Sequence, residues 1–196
     1  MSIGQNAAAL TLFSTSIGRC GIAWEGEKIR ATHLPENSDA DTMARLALRT
    51  GAAGQGDPPP AVKRAIAAMT ALLSGERIDL SFIDCDFSGL EAFNVRVYQA
   101  ARAIPPGETL TYGEIAIRLG EKRWAQAVGQ ALGRNPFPII VPCHRVLGAK
   151  GRLTGFSANG GIETKLRMLA IEGAPMGQSP ALFGDLPFAM KPARPR

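Results

Sequence analysis

The sequence predicts an α/β N-terminal region followed by a mainly α-helical C-terminal region. In residues 8–34, β-formers alternate and glycines interrupt them at "SIG" and "EGE", which predicts three strands of an antiparallel meander. After residue 89, apolar residues recur at helical spacing in short segments separated by Pro, Gly and Asn, which is typical of short helices. The predicted parts are an α/β domain over residues 1–85, a helical domain over residues 86–175 and a Pro-rich tail over residues 176–196.

Two helices and a fourth strand are predicted in the rest of the N-terminal region. Apolar residues recur at helical spacing from Asp39 to Thr50 and from Pro60 to Ser74, and a proline suits the first turn of the second helix. The segment "IDLSFIDCDF" predicts the additional strand. Cys20 and Cys85 lie in these apolar strand contexts, which favours buried, unreactive thiols.

Three helices are predicted in the C-terminal region. The first runs from Leu90 to Ala103 and stops at "PPG". Thr111 and Glu114 have the spacing of a capping box, which makes Thr111 the predicted N-cap of the second helix. The third runs from about Arg123 to Leu132, after a tight Gly-containing turn. Two short helices joined by such a turn predict helix-turn-helix geometry, with the third helix as the recognition helix.

The two faces of this third helix differ in polarity. The residues expected to face inward are Trp124, Val128 and Ala131. The opposite face carries the polar side chains Arg123, Gln126 and Gln130. Small residues between them let the backbone approach a groove, and Arg and Gln can donate to phosphates or base edges. A surface helix with no partner is the alternative.

Composition limits the class of protein. The chain has 196 residues, of which 45% are hydrophobic and 20% charged, as is ordinary for a globular protein of one or two domains. The stretch "MSIGQNAAALTLF" lacks the basic start and cleavable apolar core of a signal peptide, and no apolar run has the length of a membrane helix. We therefore expect a cytoplasmic protein with no membrane partner.

Charge and cysteine usage narrow the expected partners. The net charge is +5, and residues 86–175 contain 11 Lys/Arg against 7 Asp/Glu. This bias favours a polyanionic partner, with a solvated basic face as the alternative. Three cysteines without a C-x-x-C pair give no disulfide pattern, and the two histidines are not spaced to complete a zinc site with them. The sequence thus predicts neither a metal nor another cofactor.

The stretch "NPFPIIVPCHRVLG" places Cys143 between a proline and a histidine at the end of an apolar run. Because residues before proline avoid the helical region and Ile-Ile-Val is β-forming, "FPIIVP" is predicted to be extended. Packing, metal binding and nucleophilic chemistry are three uses for a cysteine at such a place. The adjacent charges of His144 and Arg145 favour the nucleophile, because a thiolate needs a base or a positive charge nearby.

This stretch, followed by "GFSANGGIETKLRMLAIEGA", closely resembles the active-site region of the O6-alkylguanine-DNA alkyltransferases, also called methylated-DNA-protein-cysteine methyltransferases. The Pro-Cys-His-Arg core is highly specific to that family when Asn-Pro precedes it and a Gly-Gly, Lys and Glu-Gly helix follows. The likeness is strong over residues 89–175, and "TLFSTSIGRCGIAW" is more weakly similar to the family's N-terminal domain. It implies an α/β ribonuclease-H-like domain followed by a mainly α winged helix-turn-helix domain.

The resemblance also implies DNA repair by a single-turnover methyltransferase. In this family a winged helix enters the minor groove of double-stranded DNA, flips O6-alkylguanine out of the stack and passes the alkyl group irreversibly to a cysteine. The acceptor would be Cys143, with His144 deprotonating it through a water and Glu172 orienting that histidine. Asn135 would brace the turn supporting the site. Tyr112 would push on the phosphate of the flipped nucleotide and donate to the base.

The resemblance assigns further residues to the base and the DNA. Val146 and Ser157 match positions that line the guanine pocket, and Phe156 stands where some relatives have a tyrosine. Many members insert an arginine into the gap left by the flipped base, whereas this chain has Gln126 there, with Arg123 as the alternative. The implied substrate- and DNA-binding set is Arg123, Gln126, Gln130, Arg145, Val146, Phe156, Ser157 and Lys165.

Two other functions compete with this interpretation. One is a winged-helix protein that binds alkylated DNA, recruits other factors or regulates transcription, and transfers little. Gln126 favours that alternative, whereas the presence of Cys143 argues for transfer. A cysteine hydrolase is disfavoured because no oxyanion-hole motif or separate distant histidine is evident.

We expect the protein to be a monomer.

Overall fold

The N-terminal region is built on a four-stranded sheet. The computed structural model describes residues 8–175. Strands β1 (Ala9–Thr15), β2 (Gly18–Glu25) and β3 (Lys28–His33) form an antiparallel meander, and β4 (Gly54–Gln55) pairs in parallel with β1, which gives the order β3-β2-β1-β4. The predicted meander is therefore confirmed. The predicted tail over residues 176–196 lies outside the described residues.

Two helices accompany this sheet. Helix α1 (Asp39–Thr50) begins and ends at the predicted residues, because Ser38 caps its N-terminus by accepting from a backbone N–H, and Gly51 ends it at φ 69°. Helix α2 (Pro60–Leu72) begins at the predicted proline and ends two residues before Ser74.

The two faces of the sheet bury different residues. Because successive strand side chains point to opposite faces, Ala23 packs with Leu46 of α1, while its neighbours Ile22 and Trp24 pack with Met69 of α2. The second face also belongs to the core that the C-terminal helices build. The sheet is thus held between α1 and the rest of the described protein.

The segment "IDLSFIDCDF" is not a strand, and this prediction is wrong. Among residues 8–175 its only strand-like pairing is a single bridge between Cys85 and Ile29, with the Ile29 N–H donating to the carbonyl of Asp84 at 2.9 Å. Two aspartates bend the chain, because Asp79 accepts from the N–H of Ser81 and Asp86 from the N–H two residues after it. Such local side-chain bonds compete with strand pairing.

The C-terminal region is helical, as predicted. Its elements are α3 (Ala92–Arg102), β5 (Leu110–Thr111), α4 (Tyr112–Arg118), α5 (Ala125–Gly133), β6 (Val146–Leu147) and α6 (Ile162–Ile171). The predicted capping box is confirmed, because the Thr111 hydroxyl accepts from the N–H of Glu114 while the Glu114 carboxylate accepts from the N–H of Thr111. A one-turn 3-10 helix, Lys122–Trp124, leads into α5.

One apolar core extends across the predicted boundary at residue 86. It contains Ile22 and Met69 from the N-terminal side together with Val97, Val128 and Phe137 from the C-terminal side. None of the helices in residues 8–175 has the length and apolar character that a membrane span requires. The position of the site follows from this shared core, because the turn that precedes Cys143 packs into it.

Candidate active site

Residues 135–142, which we call the Asn135 turn, are folded back rather than extended. The N–H of Val141 donates to the carbonyl of Phe137 at 2.8 Å, and Ile139 has a φ of 78°. The prediction of an extended "FPIIVP" is therefore wrong. The Asn135 side chain is the reason, since its Oδ1 accepts from the N–H of Phe137 at 2.9 Å and its Nδ2 donates to the carbonyl of Val141 at 2.9 Å.

Cys143 follows this turn and begins a one-turn 3-10 helix. Its side chain is partly exposed, unlike those of the other two cysteines, which are buried. Burial among protein atoms raises the pKa of the Cys143 thiol, while the Asn135 side chain and the charge of Lys165 act against that rise. The thiol thus combines a fixed position, access and a nearby cation, as a nucleophile requires.

His144 and Glu172 form a buried pair beside the cysteine. The His144 Nε2 lies 2.9 Å from Oε1 of Glu172, which follows directly after α6. Because the carboxylate only accepts, Nε2 carries a proton and donates it. Burial lowers the pKa of His144, while the hydrogen bond to Glu172 acts in the opposite direction. The Nδ1 atom is buried and has no hydrogen-bond partner among the described residues, so a neutral ring presents a lone pair there.

Arg145 is the third member of this buried network. Its Nε and Nη2 each donate to one carboxylate oxygen of Glu172 at 2.8 Å, and its Nη1 donates to the carbonyl of Ile104 at 2.6 Å. The guanidinium is buried and its donors point at protein acceptors, and the expected contact of Arg145 with DNA stays a prediction. The bidentate pair fixes the carboxylate that holds the histidine.

Lys165 also lies inside the protein. This α6 residue is fully buried, and its Nζ donates to the carbonyl of Val146 at 2.6 Å and to that of Thr154 at 3.4 Å. Burial lowers the pKa of Lys165 to about 8. The ammonium lies 6.0 Å from the ring centroids of both Tyr112 and Phe156. Two backbone carbonyls thus hold the ammonium inside the protein, and the expected contact of Lys165 with substrate or DNA stays a prediction.

A cavity of about 570 Å³ opens beside the cysteine. This volume lies within the range of sites that hold small molecules. The side chains of its wall that matter for chemistry are Tyr112, Gln126, Gln130, Cys143, Thr154, Phe156 and Ser157. The structure therefore brings six of the predicted site residues, all of these except Thr154, around one space.

Three of the other predicted residues, Val146, Arg123 and Asn135, are not part of the wall of this cavity. Val146 is buried in β6, which pairs in parallel with β5, and its carbonyl accepts from Lys165. Arg123 is exposed and precedes α5. The Ser157 hydroxyl, which does reach the cavity, donates to the carbonyl of Gly133 at 3.2 Å. Asn135 acts through the turn that it holds.

The predicted polarity of the third helix is confirmed. Val128 and Ala131 are buried, and the Trp124 ring packs edge-on against Phe93 with centroids 5.6 Å apart. The polar side chains on the opposite face are exposed, namely those of Arg123, Gln126 and Gln130. One face of α5 is thus committed to the core, and the other lies open at the mouth of the cavity.

Two residues of this region escaped the sequence analysis. Thr154 stands in the cavity wall, and its side chain counters the rise that burial causes in the pKa of Tyr112. Thr32 belongs to β3, yet it donates two hydrogen bonds to the Asn135 turn. Neither residue lies in a recognisable motif, and both act on partners distant in the chain, so no local pattern marks them.

The buried carboxylate gives a stability prediction with a defined sign. Burial acts to raise the pKa of Glu172, but hydrogen bonds from His144 and Arg145 outweigh it and lower the pKa from 4.5 to about 2. A depressed pKa stabilises the fold above the unfolded-state value, and this contribution is lost as the pH falls from about 4.5 towards about 2. We expect this carboxylate to contribute about 3 kcal/mol to the free energy of unfolding above its unfolded-state pKa, at 1.36 kcal/mol per pKa unit.

Urea unfolding of the wild type and Glu172→Gln at pH 7 and pH 3 measures this contribution. Acidification to pH 3 should narrow the difference in unfolding free energy between the two proteins, because the carboxylate is then protonated in the unfolded wild type and still charged in the folded one. Glu163→Gln, an exposed change on the same helix, is the matched control. A difference between wild type and Glu172→Gln that stays constant over this pH range would contradict the assignment.

Both the sequence and the fold are similar to those of known proteins. Residues 92–174 match the family described as "6-O-methylguanine DNA methyltransferase, DNA binding domain". The methylated-DNA–protein-cysteine methyltransferase of Mycolicibacterium paratuberculosis is 44% identical over 119 residues, which are 61% of this chain and 70% of that protein. The protein of the same name from Haemophilus influenzae is 35% identical over 171 residues, covering 87% of this chain and 89% of the relative.

Solved structures give the same result. The crystal structure of Mycobacterium tuberculosis OGT in complex with DNA is similar with a TM-score of 0.67 and 35% identity, over 85% of this chain and 95% of that one. The O6-methylguanine-DNA methyltransferase of Pyrococcus kodakaraensis has a TM-score of 0.65 and 28% identity, over 85% and 99% of the two chains.

The protein consists of an α/β region joined to a helical region, and the helical region carries a partly exposed cysteine next to a buried His-Glu pair. Among proteins with these features the comparisons are specific. The chain belongs to the methylated-DNA–protein-cysteine methyltransferase family.

Proposed function

We propose that this protein repairs DNA by moving an alkyl group irreversibly from O6-alkylguanine to Cys143. The observation that carries the proposal is the position of that thiol, which lies at the wall of a base-sized cavity and next to a buried His-Glu pair, in a chain of this family. The acceptor is consumed, so each molecule acts once. No cofactor enters the reaction.

Activation of the thiol is assigned to His144. The Glu172 carboxylate accepts a hydrogen bond from Nε2 and so fixes the ring. The lone pair on Nδ1 is then free to act as the base. A water between this nitrogen and Cys143 would relay the proton. Lys165 supplies a positive charge that favours the thiolate, and Arg145 keeps Glu172 ionised and oriented.

The transfer itself is a displacement at the alkyl carbon. The Cys143 sulfur forms a bond to that carbon while the bond from carbon to O6 breaks, and the electron pair of the broken bond stays on guanine. The base gains a proton in return, for which Tyr112 in the cavity wall is the proposed donor. The products are unmodified guanine and an S-alkylcysteine.

The cavity is proposed to hold the flipped base. Phe156 offers an apolar ring for stacking, although it has no hydroxyl to donate. Ser157 in the cavity wall is proposed to bond the guanine edge. The family resemblance assigns a second such contact to the carbonyl of Val146, which also accepts from Lys165. Flipping is required because the alkyl carbon is out of reach inside a duplex.

DNA is proposed to approach the exposed face of α5. In this proposal residues 86–175 form a winged helix-turn-helix domain that enters the minor groove, residues 1–85 form a ribonuclease-H-like domain, and the protein acts as a monomer. Gln126 and Gln130 lie at the mouth of the cavity, where they can meet the groove. Arg123 is one turn earlier and is assigned to the backbone phosphates.

A restriction assay tests the proposed function. A duplex that carries one O6-methylguanine inside a restriction site resists cutting, and repair restores cutting. We expect restored sites to equal the protein added, with no further gain over time. Duplexes that stay resistant while the protein binds them would favour the alternative, a protein that recognises alkylated DNA with weak transfer. Gln126 is the feature that favours this alternative, since it lacks the charge and planar surface of arginine.

Replacement of Gln126 by arginine should speed transfer from duplex DNA. Extrusion of a base leaves a gap in the stack and costs a few kcal/mol before compensation. Arginine can stack on the neighbouring bases and bond the orphaned partner, whereas glutamine only forms the hydrogen bonds. The free base O6-benzylguanine needs no flipping, so its reaction should stay nearly unchanged.

Single-turnover rates of the wild type and Gln126→Arg on duplex, single strand and free base check this prediction. The gain should be smaller on the single strand than on the duplex. Gln130→Arg, at the other exposed glutamine of α5, is the matched control for added charge. An unchanged duplex rate for Gln126→Arg would mean that another side chain, with Arg123 the first to examine, already fills the gap.

A further inference from the structure

The Asn135 turn contains a residue in an unfavourable backbone conformation. Ile139 has a φ of 78°, and this left-handed region is disfavoured for a β-branched residue. Such conformations persist only where the surroundings determine them, and they cluster at functional sites. Ile139 is buried and stands four residues before Cys143. Contacts from the surrounding residues must therefore hold this turn in place.

Contacts from the N-terminal region hold three carbonyls of the turn. The backbone N–H of Thr32 donates to the carbonyl of Pro136 at 3.0 Å, and the Thr32 hydroxyl donates to that of Pro138 at 2.6 Å. From α1, Arg49 donates to the carbonyl of Asn135 at 3.2 Å. Thr32 is fully buried, so these bonds form away from competing water. The edge of β3 is thereby joined to the turn that delivers the cysteine.

The hydroxyl bond acts on one particular peptide unit. The carbonyl of Pro138 and the N–H of Ile139 belong to the same plane, whose orientation is set by ψ of Pro138 and φ of Ile139. Rotation of that plane would bring Ile139 to a favourable negative φ, and it would turn the carbonyl away from Thr32. A bond to this carbonyl therefore selects the strained conformation over the relaxed one.

We propose that Thr32 is a positioning residue for the Cys143 thiol, acting through the Pro138–Ile139 peptide. Its hydroxyl holds the strained turn, and the turn places the sulfur beside the Asn135 side chain and against the cavity. The N-terminal sheet thus contributes to the reactivity of a cysteine more than 100 residues away. The reaction concerned rests on the proposed function, but the reactivity of the thiol does not.

Three variants separate this role from general support of the fold. Thr32→Val keeps the shape and removes the hydroxyl, whereas Thr32→Ser keeps the hydroxyl. Thr42→Val is the matched control, because Thr42 is also a buried threonine of the N-terminal region, with its hydroxyl donating to the carbonyl of Ser38 at 3.1 Å and accepting from the N–H of Glu36 at 3.0 Å. Neither of these two bonds reaches the Asn135 turn.

Two readouts are measured for each protein, together with thermal unfolding. The first is the pH dependence of Cys143 alkylation by iodoacetamide, followed by peptide mapping, for which the buried Cys20 and Cys85 serve as unreactive internal references because burial raises their pKa to about 12. The second is the single-turnover rate of transfer from O6-benzylguanine.

We expect Thr32→Val to move the alkylation profile to higher pH and to slow transfer by roughly 10- to 100-fold, since a misplacement of about 1 Å can cost 10²-fold. Thr32→Ser should retain most of both, and Thr42→Val should lower the unfolding temperature without moving the profile. An unmoved profile for Thr32→Val, or an equal movement for Thr42→Val, would overturn the proposal. If Thr32→Val moves the alkylation profile but the wild type transfers no alkyl group, the proposed function is contradicted and the positioning role remains.

Arg49→Met provides the test if Thr32→Val does not fold. It removes a different bond to the same turn, from a side chain at the surface of α1. A smaller movement of the profile in the same direction would support the role of the N-terminal contacts. An alkylation profile that does not move in Arg49→Met would overturn it.

Discussion

We expect Cys143→Ala to lose alkyl transfer completely, while its affinity for DNA that contains O6-methylguanine should stay near that of the wild type. The sulfur is the only atom of the proposed reaction that the substitution removes, and the cavity and the exposed face of α5 remain. The remaining two thiols cannot take over, because both are buried and their pKa is raised to about 12. Restriction protection and DNA binding, measured on the same preparation, check both halves of this prediction.

Cys143→Ser should not restore the reaction. An alkoxide is far less available than a thiolate near neutral pH, and His144 is a weak base for a hydroxyl. Transfer by either variant would show that Cys143 is not the acceptor. Loss of DNA binding in both would mean that the cysteine supports the fold of the interface rather than the chemistry.

Loss of His144 or Glu172 slows transfer by roughly 10²-fold or more, the usual share of a general base. The two side chains are joined by a buried 2.9 Å hydrogen bond, so each depends on the other. The double variant should therefore be little worse than the poorer single one, as is found for residues that act as a unit. Rates of His144→Ala, Glu172→Gln and the double variant on O6-benzylguanine form the required cycle.

The cycle needs a control for stability, because Glu172 also neutralises Arg145. Removal of one partner of a buried ion pair leaves an uncompensated charge and lowers the free energy of unfolding by about 3–5 kcal/mol. Rates should therefore be compared at a temperature where each variant is folded. Independent, additive effects of the two substitutions on the rate would contradict a shared role.

Features set by neighbouring residues were predictable from the sequence. The capping box joins Thr111 to a glutamate three residues later, and α1 is limited by Ser38 and Gly51 at its own ends. The apolar and polar faces of α5 follow from helical spacing alone. The residues on either side of Cys143, Pro142 and His144, were enough to identify it as a candidate site residue.

Features set by distant partners were not predictable. The family resemblance assigned Arg145 and Lys165 to substrate and DNA binding, and it gave no sign that Arg145 pairs with Glu172 or that the carbonyls of Val146 and Thr154 accept from Lys165. A basic residue in a sequence does not reveal which acceptors the fold will bring to it.

Two segments predicted to be extended are bent by local hydrogen bonds from side chains to the backbone. "FPIIVP" and "IDLSFIDCDF" have strong strand propensity, yet Asn135 bends the first, and Asp79 and Asp86 bend the second. These bonds satisfy backbone groups that a strand would have paired.

The most direct test of the central claim is the intact mass of the protein after incubation with a duplex that contains O6-methylguanine, followed by peptide mapping. The account predicts that each molecule gains one methyl group, that the gain stops after one turnover, and that it maps to the peptide containing Cys143. An unchanged mass with the DNA still bound, or a methyl group mapped to Cys20 or Cys85, would contradict it.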